Sequence, residues 1–271
     1  MSRIGAAFAA ARVRRAPAFI PFVVAGDPCL EALPLFCRSL AAAGADIIEI
    51  GVPFSDPLAD GPVIQRAMQR GLAAGAGLAG VIEAAGEARR AAAAALVLFT
   101  YYNPILRMGE EAFAERAARA GVDGVLVTDL PPEEGALLHG SLESRGIDPI
   151  LMTSPTSGED RIRAAGRRAR GFLYHVSRTG VTGVRDALPD GLAASVAEVK
   201  GLSTLPVAVG FGISTPRQVR AAGALADGVV VGSALVAAME RAQQRSLPAL
   251  AALLGGEAER LTGKEAADGR A

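Results

Sequence analysis

Residues 46–51, Asp46-Ile47-Ile48-Glu49-Ile50-Gly51, form an almost wholly apolar run that ends at a glycine. A run of this kind is typical of a strand that is buried on both faces, as in a parallel sheet covered by helices. Its charged residue near the end, Glu49, is unusual because a carboxylate among isoleucines lowers stability unless something compensates for its burial. The run therefore predicts both a parallel sheet and a functional role for Glu49.

Seven more runs rich in Val, Ile, Leu or Phe, each bounded by Gly, Pro or Asp, predict further strands. They are Phe19–Ala25, Leu96–Tyr101, Gly124–Thr128, Asp148–Met152, Gly171–Val176, Pro206–Gly210 and Gly228–Val231. Segments with helical spacing lie between them, at Glu110–Ala120, Pro132–Arg145, Glu159–Arg168, Ala187–Val199 and Pro216–Ala224. Alternating strands and helices favour an α/β fold, a (β/α)8 TIM barrel that forms a single domain over residues 1–271. A doubly wound open sheet is the alternative that the pattern leaves open.

The two ends of the chain depart from a minimal barrel. Residues Ser2–Arg15 have the spacing of an extra N-terminal amphipathic helix, with Ile4, Phe8 and Val13 as apolar contacts. Such a helix is placed to plug the N-terminal mouth of the barrel. Residues 256–271 are polar and have no strand pattern, so we expect a frayed C-terminal tail.

The composition argues against several classes of partner. Lys plus Arg number 28 and Asp plus Glu number 28, so no net charge attracts nucleic acid or an anionic membrane. Cys29 and Cys37 lack a Cys-x-x-Cys spacing, and we expect reduced, partly buried thiols and no metal site. We find no N-terminal targeting pattern and no apolar run of about 20 residues that would span a bilayer. We therefore expect a cytoplasmic protein that binds a small molecule.

Two carboxylates are the candidate catalytic groups, because active sites of (β/α)8 barrels lie at the carboxyl ends of the strands. Glu49 lies one residue before the end of its strand, and Asp60 follows eleven residues later in a turn-rich loop. If Glu49 points inward, desolvation raises its pKa, which suits a group that both gives and takes a proton. The alternatives are a buried Glu49 paired with a lysine or arginine, and an Asp60 that serves only as a turn residue.

Glycines after the seventh and eighth strands predict a phosphate site. Gly212 and the pair Gly232-Ser233, which opens a helix, can present backbone N–H groups to phosphate oxygens. The third glycine of a dinucleotide fingerprint and the Lys-Ser or Lys-Thr of a P-loop are both missing. As isolated turns these glycines would be unremarkable, so the prediction depends on their joint position.

The sixth strand and the loop after it supply further candidates. Ser177–Gly183 is polar and glycine-hinged, as a lid over a substrate would be, although a plain surface loop fits equally well. Strand alternation lets only one of Tyr174 and His175 face inward, and we expect Tyr174 inside and His175 to be a packed or partly exposed histidine. We expect His139 to be an exposed helical residue.

The run Glu49–Pro62 closely resembles the signature of the tryptophan synthase α subunit family. The resemblance continues in the family's order through Phe19–Phe22, Ser177–Gly183, Gly210–Ile213 and Gly232-Ser233, and so covers nearly the whole chain. It implies a carbon–carbon lyase that cleaves indole-3-glycerol phosphate to indole and glyceraldehyde 3-phosphate. This retro-aldol reaction uses neither a Schiff base nor a metal.

The resemblance also implies roles for individual residues. Glu49 matches the residue that moves protons at indole carbon 3 and at the side-chain hydroxyl, and Asp60 matches the acceptor of the indole N–H. The implied substrate-binding residues are Tyr174 beside the glutamate, Phe22, Leu126, Met152 and Phe211 around the indole, Thr182 in the lid, and Gly183, Gly212, Gly232 and Ser233 around the phosphate. Phe172, where many members have tyrosine, and His175, usually aliphatic, are departures that leave the proton transfers untouched.

The family works as an αββα heterotetramer in which indole passes through a tunnel to a β subunit that holds pyridoxal phosphate. By resemblance, Asp56-Pro57 and Asn103-Pro104 face that partner, and no cofactor is expected in this chain. Two other functions stay open. One is an activator of a β subunit with little chemistry of its own, and the other is a different phosphate-binding barrel, such as an isomerase of phosphorylated sugars.

Overall fold

The computed structural model describes residues 1–177, 188–210 and 212–263. Eight parallel strands close into a barrel in which each strand pairs with the next along the chain. The strands are β1 (Ala18–Val24), β2 (Ile47–Gly51), β3 (Ala95–Thr100), β4 (Gly124–Val127), β5 (Asp148–Thr153), β6 (Leu173–Val176), β7 (Val207–Gly210) and β8 (Gly228–Val231). All predicted strands are confirmed. Because β1 also pairs with β8, the open doubly wound sheet is excluded.

Helices surround the barrel. They are α1 (Arg3–Val13), α2 (Leu33–Ala42), α3 (Pro62–Ala73), α4 (Leu78–Ala91), α5 (Tyr102–Met108), α6 (Glu110–Arg119), α7 (Ala136–Glu143), α8 (Glu159–Arg168), α9 (Leu192–Leu202), α10 (Pro216–Gly223), α11 (Ser233–Glu240) and α12 (Leu247–Thr262), with a 3-10 turn at Leu30–Ala32. The five predicted helices correspond to α6–α10. Within the described ranges, no helix is both long and apolar enough to cross a membrane.

Strand alternation sorts the apolar side chains into two layers. Ile47 belongs to a cluster inside the barrel, whereas Ile48 and Ile50 pack outside it, against the helices. Glu49 has the same parity as Ile47 and therefore points into the barrel. The structure therefore confirms the inward orientation of Glu49 on which the candidate catalytic role depends.

Helix α1 closes the N-terminal mouth of the barrel, as predicted. Ile4 and Phe8 are buried in the inner cluster, and the rings of Phe8 and Phe172 lie 5.5 Å apart. The Cδ1 methyl of Ile4 lies 2.7 Å from where a Cβ on Gly124 would stand, so that glycine makes room for the helix. The prediction was wrong for Val13, which is 85% exposed. Five residues turn a helix by about 140° beyond a full turn, which puts Val13 on the face opposite Phe8.

The C-terminal residues also differ from expectation. Residues 256–262 were predicted to fray, but they belong to α12, in which Leu254, Ala258 and Leu261 are buried. These side chains share one face because they are four and three residues apart, a spacing that the polar composition of the segment hides. Residues 264–271 lie outside the described residues.

Both histidines are buried. His139, expected to be exposed, is only 6% exposed because its ring occupies the space beside Gly135, which has no side chain. His175 is packed outside the barrel, as predicted, with hydrogen-bonding contacts to Thr153 Oγ1 at 3.0 Å and Ser195 Oγ at 2.8 Å. Cys29 and Cys37 are free thiols, as predicted.

Candidate active site

A cavity lies at the carboxyl ends of the strands, with about 470 Å³ of empty space that is partly open to solvent. Its lining residues are Phe22, Glu49, Asp60, Gly61, Ile64, Phe99, Tyr174, Gly212, Val230, Gly232 and Ser233. Strands from most of the barrel and the segments that follow β2, β7 and β8 contribute to it. The two predicted carboxylates and three of the predicted phosphate-binding residues therefore border one space.

Glu49 is the most isolated acidic side chain in this cavity. It is 1% exposed, and neither carboxylate oxygen has a hydrogen-bond partner among the residues that the structure describes. Burial raises the pKa of Glu49 from 4.5 to about 8. A pairing with lysine or arginine is therefore not found in the described ranges. Near neutral pH most of Glu49 is protonated, and it can act first as an acid.

Asp60 is also buried but has a partner. The hydroxyl of Tyr101 donates a hydrogen bond of 2.8 Å to Asp60 Oδ2. Burial raises the pKa of Asp60 to about 6, and the hydrogen bond from Tyr101 acts in the opposite direction. Asp60 is a turn residue as well, since its N–H donates to the carbonyl of Pro57 at 3.0 Å. Near neutral pH the two carboxyl groups therefore differ in charge, with Asp60 mainly ionised and Glu49 mainly neutral.

Tyr101 is a site residue to which the sequence reasoning gave no role. Its hydroxyl accepts a hydrogen bond of 3.1 Å from the N–H of Ala59, and its ring stacks on Phe54 with centroids 4.9 Å apart. These contacts join the loop that carries Asp60 to the end of β3. Tyr101 directly follows a predicted strand, so the rule that selects polar residues at strand ends could have found it.

Phe99 was also missed, although it lines the cavity. Its ring meets that of Phe22 edge to face, with centroids 5.4 Å apart. Phe99 shares its parity with Val97 in the inner cluster, so strand alternation on β3 could have identified it as inward. The two rings form an apolar wall of the cavity.

Tyr174 faces inward beside the two carboxyl groups, as predicted, and is 3% exposed. Burial raises the pKa of its phenol well above the usual value, and the charges of Glu49 and Asp60 add to this effect. The phenol therefore stays protonated. A Cβ at Gly210 would overlap the Tyr174 hydroxyl, so glycine at that position lets the ring take its place.

The other predicted substrate-binding residues are divided. Leu126 is fully buried in the inner cluster and Met152 packs against that cluster, but neither lines the cavity. Gly232 and Ser233 stand at the start of α11, so the N-terminus of that helix borders the cavity. Gly212 has a φ of 80°, a conformation that favours glycine. Thr182, Gly183 and Phe211, with most of the expected lid, lie outside the described residues.

The residues predicted to face a partner lie near the cavity on two segments, the loop after β2 and the first turn of α5. Asp56 and Asn103 are exposed, and Pro57 and Pro104 are half-buried. The Ala59–Tyr101 hydrogen bond connects the loop to the residue that precedes α5, and the two segments also expose Leu58 (91%) and Leu106 (57%). No group of three or more His, Cys, Asp or Glu side chains suited to a metal ion occurs in the described part of the chain.

Known proteins resemble this chain over most of its length. The sequence profile of a family described as "Tryptophan synthase alpha chain" matches residues 8–260. The tryptophan synthase alpha chain of Citrifermentans bemidjiense is 50% identical over 247 residues, which are 91% of this chain and 92% of that protein. The same protein of Geobacter sulfurreducens is 49% identical over 241 residues, 89% of this chain and 91% of the relative.

Solved structures agree with the sequence comparison. Tryptophan synthase subunit alpha of Legionella pneumophila superposes with a TM-score of 0.85 at 34% identity, covering 97% of this chain and 99% of that one. A chain of Mycobacterium tuberculosis tryptophan synthase gives a TM-score of 0.86 at 37% identity, covering 96% and 98%. The fold, the cavity and these relatives lead to one conclusion: the chain belongs to the tryptophan synthase alpha chain family.

Proposed function

We propose that this chain is a lyase that cleaves indole-3-glycerol phosphate to indole and glyceraldehyde 3-phosphate by a retro-aldol reaction. The observation that carries the proposal is Glu49, buried without a partner among the described residues, in one cavity with Asp60 and the start of α11. A general acid, an anionic hydrogen-bond acceptor and a phosphate-binding helix end are the three elements that this substrate requires.

Glu49 moves both protons of the reaction. Its pKa of about 8 leaves it mainly protonated at neutral pH, so it can give a proton to indole carbon 3 and convert the ring to an iminium. The resulting carboxylate then takes the proton of the side-chain hydroxyl. As that proton leaves, the carbon–carbon bond breaks, the aldehyde forms, and the bonding electrons return to the indole ring.

Asp60 and the apolar wall hold the indole. Asp60 accepts a hydrogen bond from the indole N–H, and its negative charge stabilises the positive charge that develops on the ring, an effect of a few kcal/mol in comparable preorganised sites. Phe22 and Phe99 contact the ring face. Gly212, Gly232 and Ser233 hold the phosphate with backbone N–H groups and the helix dipole.

The family resemblance supports a second part of the proposal, a complex with a β subunit. We propose an αββα heterotetramer in the cytoplasm, in which indole passes to the pyridoxal phosphate of the β subunit and no cofactor binds to this chain. Exposed Leu58, on the loop with Asp56-Pro57, and exposed Leu106, on α5 with Asn103-Pro104, suit an apolar contact with that partner.

The test is an assay of the purified full chain with indole-3-glycerol phosphate, with and without a β subunit. We expect indole and glyceraldehyde 3-phosphate in both cases and faster release with the β subunit. Absence of cleavage in both cases would favour the pure activator. Conversion of phosphorylated sugars, together with failure to bind indolepropanol phosphate, would favour an isomerase.

A further inference from the structure

Three of the segments that form the cavity are joined to one another outside it by an ion-pair cluster, which we call the Arg70 bridge (Asp27, Arg66, Arg70, Glu240). The guanidinium of Arg70 donates to both oxygens of Asp27, from Nε at 2.9 Å and from Nη2 at 2.8 Å. Its Nη1 donates to Glu240 Oε1 at 2.8 Å. Arg66 adds two hydrogen bonds to Glu240, of 2.7 and 2.8 Å.

Each segment in the Arg70 bridge leads to a wall of the cavity. Helix α3, which carries Arg70, begins directly after Asp60-Gly61. Helix α11 ends at Glu240 and begins at Ser233, beside the proposed phosphate site. Asp27 follows β1, the strand that places Phe22 in the cavity. One guanidinium therefore connects the elements that hold the indole with the element that holds the phosphate.

The composition of the Arg70 bridge fits a role in alignment. Glu240 is the last residue of α11, where a negative charge opposes the helix dipole. The hydrogen bond from Arg66 and then that from Arg70, with the charges of both, outweigh the opposing effect of burial and lower the pKa of Glu240 to about 2. Asp27, which is 4% exposed, also accepts a hydrogen bond of 3.2 Å from Gln243. The planar fork of arginine can serve two carboxylates at fixed angles, which a lysine ammonium group does not reproduce.

We infer that Arg70 is a positioning residue that sets the separation between Asp60 and the phosphate-binding start of α11. This inference rests on the proposed function, because only a ligand with an indole at one end and a phosphate at the other must fit both at once. A ligand that occupies the phosphate site alone does not sense the separation. Misplacement of groups by about 1 Å is enough to lower the rate strongly.

The experiment compares ligands of two lengths on four full-length variants. R70M removes the ion pairs of Arg70 with both Asp27 and Glu240, and R70K keeps the charge but not the planar fork. E240Q weakens only the connection between α3 and α11. R119M, at an exposed arginine of α6, is the matched control. Indolepropanol phosphate spans the two sites, and glycerol 3-phosphate occupies the phosphate site alone. Calorimetry gives the Kd of each ligand, and steady-state kinetics give kcat and KM for cleavage.

We expect R70M to lower kcat/KM and to raise the Kd of indolepropanol phosphate by about tenfold or more. The Kd of glycerol 3-phosphate should change by less than about threefold. R70K and E240Q should show smaller losses of the same kind, and R119M none. A merely structural role would weaken both ligands equally or neither, and either result overturns the inference.

If R70M does not fold, E240Q decides alone, because it keeps the shape of the side chain and both arginines. If the wild-type chain cleaves the substrate but E240Q matches it for both ligands, the inference fails and the proposed function stands. If the wild-type chain neither cleaves the substrate nor binds indolepropanol phosphate, both fail.

Discussion

Three aspartates at the N-terminal end of the barrel and the two cavity carboxylates at its carboxyl end have contrasting surroundings. The aspartates at the N-terminal end are Asp46, Asp123 and Asp227. Each accepts a hydrogen bond from a backbone N–H and forms an ion pair with an arginine or lysine. At the carboxyl end, Glu49 has no hydrogen-bond partner in the described ranges, and Asp60 has the hydroxyl of Tyr101. The same residue types therefore stabilise the barrel at one end and carry high pKa values at the other.

The N-terminal aspartates follow one pattern. Each stands just before a strand and accepts the N–H of a residue on the preceding strand, at 2.9 Å in all three cases. The donors are Phe19 for Asp46, Leu96 for Asp123 and Val207 for Asp227. A carboxylate in this position satisfies a backbone group and fixes two strands, so its charge is used for stability. Within the described ranges Glu49 and Asp60 have no such pair of partners, which leaves them available for the proton transfer and substrate binding proposed above.

Replacement of Glu49 by glutamine gives the largest expected effect and tests the carboxyl end directly. Glu49→Gln keeps the shape but cannot move a proton, so cleavage should fall by about 10³-fold or more, while phosphate binding stays intact. Stopped assays of indole release measure the loss. Glu198→Gln, the same change at an exposed position of α9, is the control. Turnover of Glu49→Gln within tenfold of wild type would end the proposal.

The same substitution should stabilise the folded chain at high pH. The folded protein holds the Glu49 proton up to about pH 8, whereas an unfolded chain loses it near 4.5, so wild-type stability falls as pH rises between these values. Glutamine does not ionise. Glu49→Gln should therefore gain about 3–5 kcal/mol at pH 8 and little at pH 4.

Thermal melts at the two pH values check this expectation, with a rise in Tm of at least about 5 °C at pH 8. An equal Tm for both proteins at pH 8 would mean that Glu49 is not desolvated.

Removal of an acid at the N-terminal end should lower the stability of the fold and leave kcat/KM nearly unchanged. Asp123→Ala leaves the N–H of Leu96 and the guanidinium of Arg89 without this acceptor, at a cost of about 2–4 kcal/mol of stability. At a temperature where the variant is folded, its kcat/KM should stay within about twofold of wild type. Urea unfolding and the cleavage assay measure the two quantities, with exposed Asp160→Ala as control. A large loss of kcat/KM in folded Asp123→Ala would break the contrast between the two ends.

The smallest expected effect concerns the hydrogen bond to Asp60. The pKa values of about 6 for Asp60 and about 8 for Glu49 predict a bell-shaped pH profile of kcat/KM. Tyr101→Phe removes a bond that lowers the pKa of Asp60, so the acid limb should move to higher pH by about 0.5–1 unit.

The alkaline limb should not move in this variant. Tyr102→Phe is the control, because that hydroxyl contacts Glu110 outside the cavity. The substrate phosphate titrates identically in all three proteins, so it does not affect the difference. An unchanged acid limb in Tyr101→Phe would show that another group sets it.

The sequence alone predicts the barrel because the strands are short apolar runs with clear boundaries. Strand parity restricts Glu49 and Tyr174 to one of two directions, and their polar groups near strand ends favour the inward one. Asp60 is different, since its place in the cavity depends on the course of its loop. That course is set by contacts of Ala59 and Phe54 with Tyr101, which lies far along the sequence from this loop. The prediction that His139 is exposed failed because its ring is buried in the space that Gly135 leaves open, a contact that residue type alone does not show. The Arg70 bridge joins residues as far apart as positions 27 and 240, and no local pattern shows it.

Helix α1 extends the apolar interior of the barrel at the end opposite Glu49. Ile4 and Phe8 seal the floor of the barrel interior, and Glu49 retains its proton at neutral pH because it is enclosed in apolar surroundings. A chain shortened by this helix would expose Phe172 and the inner cluster at that mouth to solvent, so we expect it to lose apolar burial there and to be less stable. The first turns of the chain are thus part of the apolar enclosure whose opposite end holds Glu49.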